Sequence, residues 1–153
     1  MRTKSPFYAF VLTVTLLGLA SVCVAQSSTA ERSLFQAVNR ERHAAGLAPL
    51  RWDDSLAAAA RQHAGVMASQ HAVAHSFPGE PSLPGRATQA GVHYSWLSEN
   101  VVDASDASAA HTQFMNSPTH RANILDGDMD IVGIGIVVRG SSLYVVEDFA
   151  KAK

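Results

Sequence analysis

Ser117-Pro118-Thr119-His120-Arg121-Ala122-Asn123-Ile124-Leu125 is the stretch around which the rest of the chain can be ordered. Ser117 reads as a helix N-cap, and Pro118 takes the first helical position, where a missing N–H costs nothing. His120 then falls at the third helical position. The partial positive charge of a helix start disfavours imidazolium. His120 is therefore expected to be neutral, the form that ligates metal or accepts a proton. Ile124 and Leu125 are expected to face the core, and Asp126-Gly127 to stop the helix. A histidine at a helix start is more often a structural hydrogen-bonder than a ligand. His75 and the pair Glu99-Asn100 argue for more. Glu99 interrupts an apolar run (Trp96, Leu97, Val101, Val102), and such an acid is either exposed at an edge or paired in a site.

Toward the C-terminus, Ile131–Arg139 reads as a strand, Gly140-Ser141-Ser142 as a turn and Leu143–Phe149 as the return strand. Gly133 and Gly135 share one face of the first strand, which permits close approach of a helix or a ligand, the helix being the commoner case. Asp126, Asp128 and Asp130 alternate as in a calcium loop, but the sixth and twelfth positions are Ile131 and Val137, so an EF-hand is excluded.

Toward the N-terminus, Ser105 or Asp106 caps a helix from about Ala107 to Asn116. The segment His75–Arg86 holds three prolines and two glycines and reads as an irregular loop, with a helical turn at Thr88–Gly91. Asp53 or Asp54 caps a helix to about Gln70, with Leu56, Ala59, Ala60, His63 and Met67 on its apolar face and His71 in the same stripe. A Met/His stripe at this spacing is core far more often than a metal or haem arrangement. A first helix spans Glu31–Ala45. A Ser28–Glu31 capping box opens it, and Gly46 with Leu47 closes it in a Schellman motif. Trp52 anchors the link that follows.

The chain has 153 residues, the length of one domain. Residues 1–25 read as a secretory signal peptide: Arg2 and Lys4, an uncharged run from Phe7 to Val24, then Cys23-Val24-Ala25 at the cleavage site. Retention as a membrane anchor and lipidation at Cys23 are the rival readings. Residues 26–30 form a short linker, and residues 31–153 a single domain. Cleavage removes the only cysteine, so the exported domain relies on packing instead of disulfides, which fits a bacterial envelope. Ten basic residues then face thirteen acidic ones, a net charge of −3. With no basic run and no aromatic stripe, nucleic-acid binding is excluded.

The motifs, in order, are Asn39-x-x-Arg42-x-x-x-Gly46-Leu47-x-Pro49-Leu50-x-Trp52, Ala60-x-x-His63-x-x-x-Met67, His75, Arg86, Glu99-Asn100, the Ser117–Leu125 run, Gly133-x-Gly135, and Tyr144 to Phe149. This series resembles the CAP superfamily (cysteine-rich secretory proteins, antigen 5, plant pathogenesis-related class 1) in its short bacterial form, over about residues 31–150. The resemblance implies an α+β fold, a three-layer α-β-α sandwich with a central antiparallel sheet. It also implies a cleft built on His75, Glu99 and His120, flanked by Asn100 and Ser117. The second acid of animal and plant members would fall near Ser117, where this chain has no carboxylate. Ser98 stands where glycine is usual and Phe114 where tryptophan is usual.

Two imidazoles and a carboxylate can hold Zn²⁺ or another divalent metal with an open position, through His75, His120 and Glu99. Glu99 could instead orient a histidine without touching the metal. The expected function is a secreted or periplasmic, monomeric, non-enzymatic binding module for a lipid, sterol, envelope glycan or protein. Contact with the membrane would come only through an uncleaved or lipidated N-terminus. The alternative is a hydrolase using the same cleft, through a Ser117–His120–Glu99 arrangement or a metal-activated water. A Ser117 hydroxyl engaged as a cap would be poorly placed as a nucleophile. A third reading makes the histidines purely structural.

Overall fold

The computed structural model describes residues 28–153. The expected signal peptide, with Cys23, lies outside the described residues. Helix α1 runs through residues 28–44. Residues 28–30, expected as linker, are thus already helical, with Ser28 the first described residue of the helix. Glu31, the expected capping-box partner, is buried. It turns inward, where its carboxylate accepts from Arg61 Nε and Nη2 (2.9 and 2.7 Å) and from the Ile136 N–H (3.2 Å). The C-terminal end of α1 is as expected. Gly46 sits at φ +73°, its N–H donates to His43 O, and the Leu47 N–H donates to Arg42 O, the two bonds of a Schellman motif.

The Asn39-x-x-Arg42 pair explains itself at this corner. Asn39 exchanges two hydrogen bonds with the backbone of Leu50. The Arg42 guanidinium, 1% exposed, donates to the carbonyls of Ala48, Ile124, Asp126 and Met129. One buried side chain thereby ties the end of α1 to a turn some eighty residues later.

Strand β1 (Arg51–Trp52) leads into α2 (Asp54–Gln70), capped by Asp53, whose carboxylate accepts the Leu56 N–H at 2.7 Å. His71 is not part of the buried stripe. It closes α2 in the left-handed conformation (φ 52°) and is exposed, so it points away from His63. Helix α3 (Leu83–Gln89) starts earlier than the expected turn at Thr88. Ser82 caps it and Pro84 fits its first turn, so prolines that read as loop punctuation are helix-start residues. Strand β2 (Tyr94–Ala104), α4 (Ala107–Asn116, capped by Asp106), α5 (Pro118–Ile124), β3 (Ile131–Arg139) and β4 (Ser142–Ala152) complete the chain. Helix α5 ends at Ile124 with Leu125 as its C-cap, just short of the expected stop.

The sheet order is β1-β3-β4-β2. β2, β4 and β3 are antiparallel, as expected. The two-residue β1 runs parallel to β3, which makes the sheet mixed. One face (Val132, Ile134, Ile136, Val145, Phe149) packs on Leu34 and Val38 of α1, Phe114 of α4 and Ile124 of α5. The other face (Ile131, Val101, Val146, Ala150) packs on α2 and on Ala87 of α3. The result is helix, sheet, helix in three layers. Gly133 and Gly135 seat α2 directly on β3. A Cβ at Gly133 would lie 2.2 Å from the backbone of Leu56 and Ala57, and one at Gly135 2.1 Å from Arg61 N.

Candidate functional site

Strand register decides which groups meet. Glu99 pairs with Asp148, and Asn100 with Glu147, across β2 and β4. Successive side chains on a strand point to opposite faces. Glu99 and Asp148 therefore face α2 and α3, while Asn100 and Glu147 face α4 and α5. Because β2 is an edge strand, groups from both layers can meet around its free rim.

On the α2 side, Glu99 is buried and both its oxygens are engaged. Oε1 pairs with His75 Nδ1 at 2.9 Å, and Oε2 pairs with Arg86 Nη2. Arg86 is fully buried on α3 and also donates to Pro81 O at 3.2 Å. His63, fully buried on α2, stands 3.9 Å from Glu99 Oε2. Its Nε2 meets Ala74 O at 2.8 Å, and its Nδ1 meets Glu80 Oε1 at 2.6 Å. A carbonyl only accepts, so Nε2 carries a hydrogen. Burial pushes the Asp148 carboxyl well above the usual carboxylate range. The neighbouring charge of Glu99 adds to this, and Arg86 opposes it in part.

On the α5 side, Asn123 Nδ2 donates to Asn100 Oδ1 (2.8 Å) and to the Glu99 carbonyl (3.3 Å). Asn100 Nδ2 donates to the His120 carbonyl (3.1 Å) and to Glu147 Oε2 (3.2 Å). This chain of amides fixes the first turn of α5 against β2. The His120 ring stands edge-on to Phe114, with centroids 5.3 Å apart at 80°. Its pKa is lowered by partial burial and then by the nearby His75. The direction agrees with a neutral His120, but the causes resolved here are burial and a second imidazole, where the sequence pointed to the helix start.

Burial raises the Glu147 carboxyl to about 8, against which the Asn100 hydrogen bond acts weakly. Its folded pKa exceeds its unfolded value, so the folded state binds the extra proton. Stability is then lost as pH rises from about 4.5 toward 8, with a slope of up to about 1.4 kcal/mol per pH unit. Urea melts of Glu147→Gln against the parent across this range are expected to show the variant gaining relative stability with pH. A constant difference would mean that Glu147 does not titrate there.

Ser117 departs from expectation. Its backbone opens α5, but its side chain makes no capping bond, and its Oγ pairs with Thr119 Oγ1 at 3.2 Å. The same residue is the C-cap of α4, its N–H donating to the Gln113 and Phe114 carbonyls. A single residue joins the two helices, and this joint sets where the hydroxyl points. Among the described residues no hydrogen bond links Ser117 to His120.

The sequence reading assigned no role to Arg86, treated His63 as core, and passed over Glu80, Glu147 and Asp148. The adjacent acids in Val145-Val146-Glu147-Asp148-Phe149 were the available signal, since an apolar strand buries both neighbours, one on each face. Among the described residues, no group of three or more His, Cys, Asp or Glu stands in a metal-holding arrangement. His75 has the Glu99 carboxylate behind its ring, and the amide chain holds the backbone carbonyl of His120.

A three-layer α-β-α domain with this sheet order defines a recognisable class. Residues 35–149 match the cysteine-rich secretory protein family, CAP. The chain belongs to this family. It is 30% identical over 115 residues to the uncharacterized protein YkwD of Bacillus subtilis, covering 74% of this chain and 45% of that protein. It is similar to the crystal structure of an extracellular SCP-domain protein from Bacillus anthracis (26% identity, TM-score 0.76, 83% of this chain and 41% of that one). It also shares its fold with an outer surface protein of Borrelia burgdorferi (19% identity, TM-score 0.75, 82% of this chain and 94% of that one). The chain spans less than half the length of the curated relatives it matches. Among the described residues no helix is long and apolar enough to cross a membrane.

Proposed function

We propose that this domain is a non-enzymatic binding module acting outside the cytoplasm, whose cleft holds a labile divalent cation, Zn²⁺ foremost, between His75 and His120. The pairing of Glu99 with His75 Nδ1 carries this reading. It occupies one ring nitrogen and leaves Nε2 of a side chain that is 63% exposed as the available donor. A carboxylate behind a metal-binding histidine sets its tautomer and orientation. With Arg86 on its other oxygen, Glu99 acts here by orienting His75. The lowered pKa of His120 favours the neutral imidazole that a cation requires. Two histidines leave coordination positions open for an oxygen donor on an envelope ligand such as a lipid, a glycan or a protein.

The Ser–His form of the hydrolase alternative needs the Ser117 hydroxyl within reach of His120, and that hydroxyl pairs with Thr119. No observation favours it over the binding module.

Titration calorimetry with Zn²⁺ on residues 26–153 tests the reading. Saturable one-to-one binding at micromolar Kd is expected, lost in His75→Ala/His120→Ala and weakened in acid, because a cation needs the neutral imidazole. Equal behaviour of parent and double variant would sink the metal reading and leave the histidines a structural role.

A further inference from the structure

Far along β2 from the histidine cleft, Trp96 projects into solvent. Among the described residues it and Val73 are the exposed large apolar side chains, and Trp96 is 63% exposed. An exposed tryptophan is informative in a way that an exposed small apolar residue is not. Its placement is built into the strand. The β2–β4 register slips between Tyr94 and Trp96, so that Tyr94 pairs with Ala152 and Trp96 with Lys151. Bulges of this kind re-aim a side chain and are common next to binding sites.

Trp96 does not stand on a flat surface. It lines a depression of about 540 Å³ with Ser95, Asp126, Asp128 and Lys151, within the size range of small-molecule sites. The polar groups around the indole are ordered. Asp126 Oδ1 accepts the Asp128 N–H at 2.9 Å, and Asp128 Oδ1 pairs with Lys151 Nζ at 3.1 Å. Asp128 and Lys151 are 78% and 49% exposed, so their pairing contributes little and yields readily to another partner. Ser95 Oγ donates to Lys151 O at 3.3 Å, which braces the bulge.

We infer that the depression around Trp96 binds a neutral hexopyranose unit of a glycan, with the indole against the apolar face of the sugar ring and Asp126, Asp128 and Lys151 on its hydroxyls. The chemistry selects this occupant. A single aromatic face ringed by carboxylate and ammonium groups matches a pyranose, which has one C–H face and a hydroxyl edge that both donates and accepts. An alkyl chain would leave those charges desolvated and unpaired. Two carboxylates against one ammonium disfavour a polyanion. Trp96 lies four residues from Asn100, roughly 13 Å along the strand, so the surface is separate from the histidines and requires no metal.

The test titrates the full chain with neutral hexaoses of β-1,4-linked N-acetylglucosamine and of β-1,4-linked glucose, followed by calorimetry and tryptophan fluorescence. Saturable binding of at least one hexaose is expected. Trp96→Ala should weaken it by about tenfold or more, while Trp96→Phe should retain most of it. Trp96 is exposed, so the melting temperature of both variants should match the parent. Failure of both hexaoses to bind, or equal binding by Trp96→Ala, overturns the inference. Self-association of the parent that Trp96→Ala abolishes, without sugar binding, would overturn it in favour of a second copy as the occupant.

Discussion

Gly135→Ala is expected to destabilise the domain by about 3 kcal/mol or more, lowering its melting temperature by roughly 10 °C. The added Cβ would sit 2.1 Å from Arg61 N and 2.3 Å from Ala60 C, backbone atoms in mid-helix that no rotamer change can move aside. The whole of α2 must lift from β3, and with it Leu56, Ala60, Ala64 and Met67, all buried in the core. Gly133→Ala should behave alike, one turn earlier against Leu56 and Ala57. Gly65 supplies the control. It lies on α2 with nothing within 4 Å of its absent Cβ, so Gly65→Ala should leave the fold intact and add up to about 1 kcal/mol through helix propensity. Urea melts of the three variants check the argument. A Gly135→Ala protein that melts with the parent would mean that α2 is not seated on the strand backbone.

Arg86→Met is expected to cost about 3–5 kcal/mol, because it removes a buried cation and leaves its partner behind. Arg86 Nη2 pairs with Glu99, and Nη1 stands 3.8 Å from Glu80. Asp148, also buried, is drawn toward ionisation by Arg86 against the pull of burial. Without the guanidinium, a buried carboxylate takes up a proton instead. The deficit of Arg86→Met relative to the parent should therefore shrink as pH falls. Denaturant melts near pH 7.5 and pH 4.5 would show this. The double variant Arg86→Met/Glu99→Gln should recover part of the loss at neutral pH. A deficit independent of pH, with no recovery in the double variant, would show that Arg86 matters for packing and not for charge.

What the sequence disclosed and what it concealed follow from the range of the interactions. The Schellman end of α1, Pro118 at the start of α5 and the β3–β4 hairpin rest on signals within a few residues and were legible, while the caps of α2 and α4 were narrowed to two neighbours each, Asp53 or Asp54 and Ser105 or Asp106. A close approach to β3 was legible too, since two glycines at spacing two mark one bare strand face, though not that α2 is the element seated there. Helix α3 was hidden because its cap and first-turn proline sit among other prolines. The parallel β1 was hidden because two residues carry no period.

His120 and Glu99 stood out locally, one at a helix start and the other within an apolar run, but their grouping with His75 came only through resemblance. The groups around Glu99 come from separate elements: His63 from α2, Arg86 from α3, Asp148 from β4. No local pattern announces that they converge. The Ser117 side chain shows the opposite failure, where a sound local rule gave way because one residue serves two helices.

The alternation at Glu99-Asn100 makes the alignment of one rim strand decide which helical layer each side chain joins. Sliding β2 by a single residue against β4 would hand Asn100 to Arg86 and turn Glu99 toward Phe114, dismantling both halves of the cleft in one move. Chain-length changes between Leu97 and Ala104 should thus be far less tolerable than their small size suggests. The irregular pairing at Tyr94–Trp96 lies just outside this interval, where a gained or lost residue can be absorbed before the strict pairing begins.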